Sequence, residues 1–170
     1  RGAIGAIAPH DSEARFTGLG VKVVRASARF IDPRTLEADG QRFSARRVVI
    51  ATGSRPAIPP IPGLDGVRYL TNETLFSNTV LPLHLLIIGA GPQGLEMAQA
   101  HRRLGAKVTV IDAGPPLAGT APELAAILLA QLAAEGVEIL AGTAIARAFR
   151  SAGGIGLELA GSRTVEGSHL

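Results

Sequence analysis

Cysteine is absent from all 170 residues, which excludes a structural disulfide or a thiolate-held zinc within this segment. It says nothing about sequence upstream. Aromatic side chains are scarce, five Phe and one Tyr with no Trp, while Ala and Gly abound. That balance suits close packing of helices on a sheet better than an aromatic-rich binding surface. No apolar run approaches the roughly 20 residues of a membrane-spanning helix. The longest, AIPPIPGL and LPLHLLIIGAG, are interrupted by Pro, His or Gly. With no targeting segment visible, a soluble, cytoplasmic protein without membrane contact is expected. The net charge is only +3, and Arg46 with Arg47 and Arg102 with Arg103 are the adjacent basic pairs. A basic stripe with interleaved aromatics is missing, so no nucleic-acid partner is expected. His10, His84, His101 and His169 lie apart without i, i+4 spacing, which predicts no metal site. No serine sits in GxSxG, and no internal repeat is visible.

The chain can bury a real core at this length, as one domain or two small ones. It starts at Arg1 and stops at EGSHL without a turn or cap, which reads as an internal fragment. Residues 11 to 18, DSEARFTG, predict a short helix capped by Asp11 or Ser12 and closed by Gly18 or Gly20. VKVVRASARFI alternates apolar and polar positions as a half-buried strand does. TLEA predicts a second strand, and Asp39-Gly40 a two-residue hairpin turn in which both residues accept positive φ. The return strand RFSARRVVIA ends in VVIA, consistent with a buried central strand. Four prolines in TGSRPAIPPIP then mark an extended connector, neither helix nor sheet interior.

Beyond TNETLFSN, read as a short helical turn, the pattern alternates strand and helix. Leu85 to Ile88 is a buried strand, about Pro92 to Leu104 a helix, KVTVID a strand, about Pro122 to Glu135 a helix, and VEIL a strand. Shorter strands follow around AIARAF, IGLELA and SHL. Thr120 is expected to cap the second helix and Gly136 to close it. Such alternation argues for a parallel sheet.

The sequence LLIIGAGPQGLE carries the chemistry. Gly89, Gly91 and Gly94 form GxGxxG directly after a buried strand and at the mouth of a helix. Gly89 permits the tight turn, Gly91 lets backbone approach a pyrophosphate, and Gly94 lets helix and strand pack closely. Backbone N–H groups and the helix dipole then receive phosphate charge. Asp112 ends the second strand 18 residues after Gly94, close to the roughly 20 expected of a ribose-binding acid. Its charge would repel a 2′-phosphate, and AGPPLAGTAP offers no Arg or Lys to bind one. NADH is therefore favoured over NADPH. Glu96, two residues beyond Gly94, reads either as an acid placed favourably in a first helical turn or as a contact to the nicotinamide side.

VVIATGSRPAIPPIPG followed by LLIIGAGPQGLEMAQAHRRLGAKVTVID resembles the FAD-dependent pyridine nucleotide-disulfide oxidoreductases, in the dihydrolipoamide dehydrogenase and mercuric reductase-like branch. The resemblance runs over nearly the whole chain. It implies an α/β fold: the C-terminal part of an FAD-binding domain (1-55), a proline-rich connector (56-81), and a Rossmann-like NAD-binding domain (82-170) of the three-layer ββα type, a parallel sheet with a β-meander whose last strand is cut. It further implies that Ala28, Thr52, Gly53 and Ser54 approach FAD. Gly89, Ala90, Gly91, Pro92, Gln93, Gly94, Leu95 and Glu96 would cradle NAD, Asp112 would hold its ribose, and Ile145 would lie by its adenine. The implied reaction is hydride transfer between NAD(H) and FAD, with onward exchange to a disulfide or other acceptor. The redox cysteines and a catalytic His-Glu pair would lie outside this segment, so the segment alone is expected to be inactive and its parent a homodimer. A reductase or NADH oxidase without a redox disulfide, or a non-catalytic NAD-binding module, stays open.

Overall fold

The computed structural model describes residues 2–170, which separate into two compact units, one ending at Ser54 and one spanning Arg55–Leu170. In the first, helix α1 (Gly2–Ile7) is followed by a 3-10 turn and helix α2 (Glu13–Gly18). Ser12 caps α2, its hydroxyl oxygen accepting the Arg15 N–H at 3.2 Å. Strands β1 (Ala28–Asp32), β2 (Thr35–Ala38) and β3 (Gln41–Ser44) form an antiparallel sheet in that order. The β2–β3 turn places Asp39 at φ 52° and Gly40 at φ 69°, the paired positive angles that the Asp-Gly dipeptide predicts.

Two strand expectations fail here. Residues 21–27 form no strand, and all five residues of β1 are exposed. The VVIA run forms none either, leaving Val49 86% and Ile50 71% exposed. The cause is common to both. A strand is defined by its ladder, and β2 already pairs on both edges with β1 and β3. Among the described residues nothing hydrogen-bonds the flanking apolar runs into a sheet.

The second unit is layered. Parallel strands β4 (His84–Ile88), β5 (Lys107–Ile111) and β6 (Glu138–Leu140) alternate with helices α3 (Pro92–Arg103) and α4 (Pro122–Ala134). An antiparallel meander follows, β7 (Ile145–Ser151), β8 (Gly154–Leu159) and β9 (Thr164–Gly167). Because strand side chains alternate between faces, Leu85, Ile87, Val108 and Val110 turn to α3 and α4, meeting Leu95, Ala98, Ala125 and Leu132. Leu86, Ile88, Ile111 and Leu140 turn the other way, onto Ala148, Ile155, Leu157 and Val165 of the meander. Ile61, inside the proline-rich stretch, and Leu64, Val67 and Tyr69 after it pack into that second core. Burying each such Leu or Ile contributes about 1.5–3 kcal/mol.

Thr120 does not cap α4. The helix begins at Pro122, so its N-cap is Ala121, which makes no side-chain cap bond; the fixed φ of Pro122 sets the start instead. Gly136, at φ 85°, does follow its end. The SHL strand reduces to one parallel bridge, Leu85 to His169, with Leu86 N–H donating to the His169 carbonyl at 2.9 Å. The third meander strand lies earlier, at Thr164–Gly167. Among the described residues no helix is long and apolar enough to cross a membrane.

Polar groups tie neighbouring elements of the second unit at two places. The fully buried Thr109 gives its one hydroxyl proton to Glu138 Oε2 (2.9 Å), and so accepts from His84 Nε2 (2.9 Å); Arg163 adds an ion pair to Glu138 at 3.1 Å. Burial, then the neighbouring Lys107 charge, hold the His84 imidazole below its ordinary range. At the other end Glu135 receives Arg103 through two bonds (2.7 and 2.9 Å), Gln131 and Gln99. The Arg103 guanidinium foremost, then the Gln131 amide, lower its carboxyl to about 2.

Thr109→Val should remove the shared hydroxyl and strand two polar partners, costing about 1–3 kcal/mol in chemical denaturation. The exposed Arg25–Glu13 pair should give under about 1 kcal/mol on Arg25→Ala. For Glu135 the folded protein binds fewer protons than the unfolded chain between pH 4.5 and about 2. Its stabilisation is therefore complete above 4.5 and fades as pH falls toward about 2. Glu135→Gln should flatten that acid limb in thermal melts taken from pH 6 to about 2.

Candidate functional site

The site forms where β4 gives way to α3. Gly89 takes φ 106° and donates its N–H to the Ile111 carbonyl at 2.8 Å, which starts the turn level with the end of β5. A Cβ on Gly94 would overlap the carbonyl oxygen of Gly89, so the first turn of α3 rests directly on that turn. Gly91 is the N-cap, extended at φ −73°, with open space where a side chain would stand and no side-chain cap bond. Pro92 has no N–H to place, and Leu95 N–H is the first to reach a carbonyl, that of Gly91, at 3.1 Å. The N–H groups of Gly91, Gln93 and Gly94 find no acceptor among the described residues. They project from the positive end of a twelve-residue helix, a ready seat for a phosphate group.

Ala90 and Leu95, each 1% exposed, point into the helix-side core and can meet a ligand only through backbone. Asp112 is half-buried just past β5. Its Oδ2 accepts the Ala90 N–H at 2.7 Å, and its Oδ1 accepts the Gly114 N–H at 2.8 Å. Ile145 opens β7 opposite Leu159, half-buried against the meander-side core.

Glu96 is the fifth residue of α3 and is exposed, so it does not lie in the first turn; the helix starts at Pro92, ahead of Gly94. The helix face nearer the turn carries Gln93 and Met97 instead. With Pro56, Ile58, Tyr69 and Leu170 they line a cavity of 390 Å³ beside β4 that reaches Gly91 and Gly94. Met97 escaped the sequence reading, although it stands four residues after Gln93 and so shares its face.

In the first unit Ala28 pairs with Ala38, and Thr52, Gly53 and Ser54 are exposed outside any helix or strand, with Gly53 at φ 75°. For a dinucleotide pyrophosphate the second unit fits: a side-chain-free N-cap, unsatisfied amides and a carboxylate at the next strand end. The histidines serve hydrogen bonds, His101 Nδ1 at 2.8 Å from the Met97 carbonyl and His169 Nδ1 at 3.0 Å from Ser168 Oγ. Among the described residues no three His, Cys, Asp or Glu side chains gather for a metal.

Comparison with known proteins identifies the family. The family described as pyridine nucleotide-disulphide oxidoreductase matches residues 10–169. The chain is 37% identical to a mercuric reductase of Streptomyces lividans, over 89% of this chain and 34% of that one. It is 32% identical to an NAD(P)H dehydrogenase (quinone) of Mycobacterium tuberculosis, over 94% and 35%. The crystal structure of LpdA from Mycobacterium tuberculosis superposes with a TM-score of 0.74 at 31% identity, covering 98% of this chain and 39% of that one. The chain spans between 20% and 35% of the length of the curated relatives it matches.

Gly94→Ala tests the geometry directly. Its methyl must push α3 off the Gly89 carbonyl, costing about 1–3 kcal/mol of stability. Denaturation should show that loss, whereas Gly91→Ala, with open space at its Cβ, should melt near the unmutated chain.

Proposed function

The chain belongs to the pyridine nucleotide-disulphide oxidoreductase family, and from that we propose that residues 82–170 bind NAD(H) and that 1–55 contribute to an FAD site, joined through 56–81. In this reading Ala28 and Thr52 to Ser54 approach the flavin nucleotide, and the longer protein passes hydride between NADH and FAD. Electrons then go onward to a disulfide or another acceptor. A homodimeric parent follows from the same resemblance. When bound, the two cofactors supply the redox chemistry, and the protein supplies position and charge.

One observation carries the reading: the unsatisfied first turn of α3 behind Gly91, with the Asp112 carboxylate at the adjoining strand end. The amides of Gly91, Gln93 and Gly94 would receive the pyrophosphate. Asp112 would take ribose hydroxyl protons on lone pairs not used by backbone. Its charge disfavours a 2′-phosphate, and residues 113–122 contain no Lys or Arg to offset that, which supports NADH over NADPH. Ile145 would adjoin the adenine. Glu96, exposed on the second turn, would meet the nicotinamide side.

Anaerobic mixing of the flavin-loaded parent protein with each cofactor tests the proposal. NADH should bleach the flavin absorbance faster than NADPH, and Glu96→Gln should slow that bleaching without abolishing NADH binding. Equal rates with both cofactors would remove the NADH assignment. An unchanged rate in the variant would remove Glu96 from hydride transfer.

A further inference from the structure

Asp112 does more in this fold than face a ribose. Both of its carboxylate oxygens are engaged by backbone, Oδ2 by Ala90 N–H at 2.7 Å and Oδ1 by Gly114 N–H at 2.8 Å. Its own main chain is fixed as well, the N–H donating to the Leu140 carbonyl (3.1 Å) and the carbonyl accepting Thr143 N–H (2.8 Å). The Ala90 carbonyl in turn accepts Leu117 N–H at 2.9 Å. One anionic side chain thus ties the glycine turn after β4 to the loop after β5. Gly91, whose amide is free for phosphate, is bonded directly to Ala90. Removing the carboxylate leaves the Ala90 N–H, on a residue 1% exposed, with no acceptor in its place.

We propose that Asp112 is a positioning residue for the phosphate-binding turn: through Ala90 it sets the direction of the Gly91 amide, and so supports binding of any dinucleotide pyrophosphate whether or not its ribose reaches the carboxylate. This role rests on the dinucleotide reading above. The two roles are compatible in one side chain. A carboxylate offers about four lone-pair directions, and the amides of Ala90 and Gly114 take one on each oxygen. Asp112→Asn would keep one carbonyl oxygen for one of the two amides, whereas Asp112→Ala leaves both without an acceptor.

The discriminating probe is an NAD analogue with 2′,3′-dideoxyadenosine, which keeps the pyrophosphate and lacks the hydroxyls Asp112 would bind. NADH, NADPH and this analogue are titrated against the 170-residue chain and its Asp112→Ala variant. Loss of hydrogen bonds to a charged group should weaken NADH and the analogue by about ten- to hundredfold, and NADPH by less, because the charge that disfavours its 2′-phosphate goes with them. Amide hydrogen exchange should quicken at Ala90 and Gly114 while Leu86 and Val110 stay protected. An analogue that binds both proteins equally well, beside NADH that binds the variant more weakly, would overturn the positioning role and leave the ribose role. Failure of the unmutated chain to bind NADH would overturn the dinucleotide reading and this role together. If the variant does not fold, the unmutated chain decides alone. Its Ala90 amide should exchange far more slowly than its Gly91 amide without ligand, and equal rates would overturn the proposal.

Discussion

The first turn of α3 lies against the carbonyl oxygen of Gly89, and the chemistry of the site depends on that contact. Only a residue without a Cβ at position 94 permits it. The approach sets the direction in which the amides of Gly91, Gln93 and Gly94 project, and it keeps them free of internal acceptors. Unsatisfied donors at a helix end cost free energy wherever water cannot reach them. The cost is carried by apolar packing, since Leu95 and Ala98 lock the same helix onto Leu85, Val108 and Val110. A polar turn with nothing of its own to bind is thereby held in one geometry by a core that is wholly apolar beneath it.

β4 is where these demands meet. Its odd-numbered residues serve the helix-side core and its even-numbered ones the meander-side core, so neither layer can shift without moving the glycine turn. Its edges differ as well: β5 lies along one, and His169 bridges the other. The chain reaches these two neighbours by connections of very different length. In open parallel sheets, ligands bind outside the carboxyl ends of strands where the order reverses in this way. The cavity lined by Gln93, Met97 and Leu170 lies on the His169 side, and Asp112 on the β5 side, so the glycine turn has one feature of the site on each flank. Gly167 serves the same end from below, because a Cβ there would meet the Leu86 side chain at 2.6 Å and hold β9 away from β4.

What was legible in the sequence follows from where each segment finds its partners. From Leu85 to Leu159 every strand pairs with another inside the chain, so local periodicity and tertiary pairing agree, and the glycine spacing marks the turn. VVIA and residues 21–27 show the limit. Their apolar pattern records a demand for burial without naming what satisfies it, and no described strand pairs with them. Thr120 misled because Ala121 stands between it and the helix start at Pro122 and takes the cap position itself. Glu96 was read into the first turn by its distance from Gly94, although a helix from Pro92 carries it past that turn. The His84–Thr109–Glu138 chain could not be read from spacing, because it runs across three strands. Only the register joins those residues.

Register also explains Asp112. Ile88 pairs with Ile111, so one step further Gly89 lies level with Asp112, and the carboxylate reaches the next amide along, that of Ala90, although 22 residues separate them. A slip of one residue would turn the hydrophobic set of β5 to the opposite layers. It would also replace the carboxylate level with Gly89 by the side chain of Ile111 or Ala113. The alternation that buries Val108 and Val110 on one side and Ile111 on the other is therefore what delivers an acid to the glycine turn. A short acid suits the delivery, for the two amides it holds lie immediately beside it, at 2.7 and 2.8 Å from its oxygens. Core packing and site electrostatics are in this sense one constraint: the apolar pattern of two adjacent strands decides which charge the turn receives.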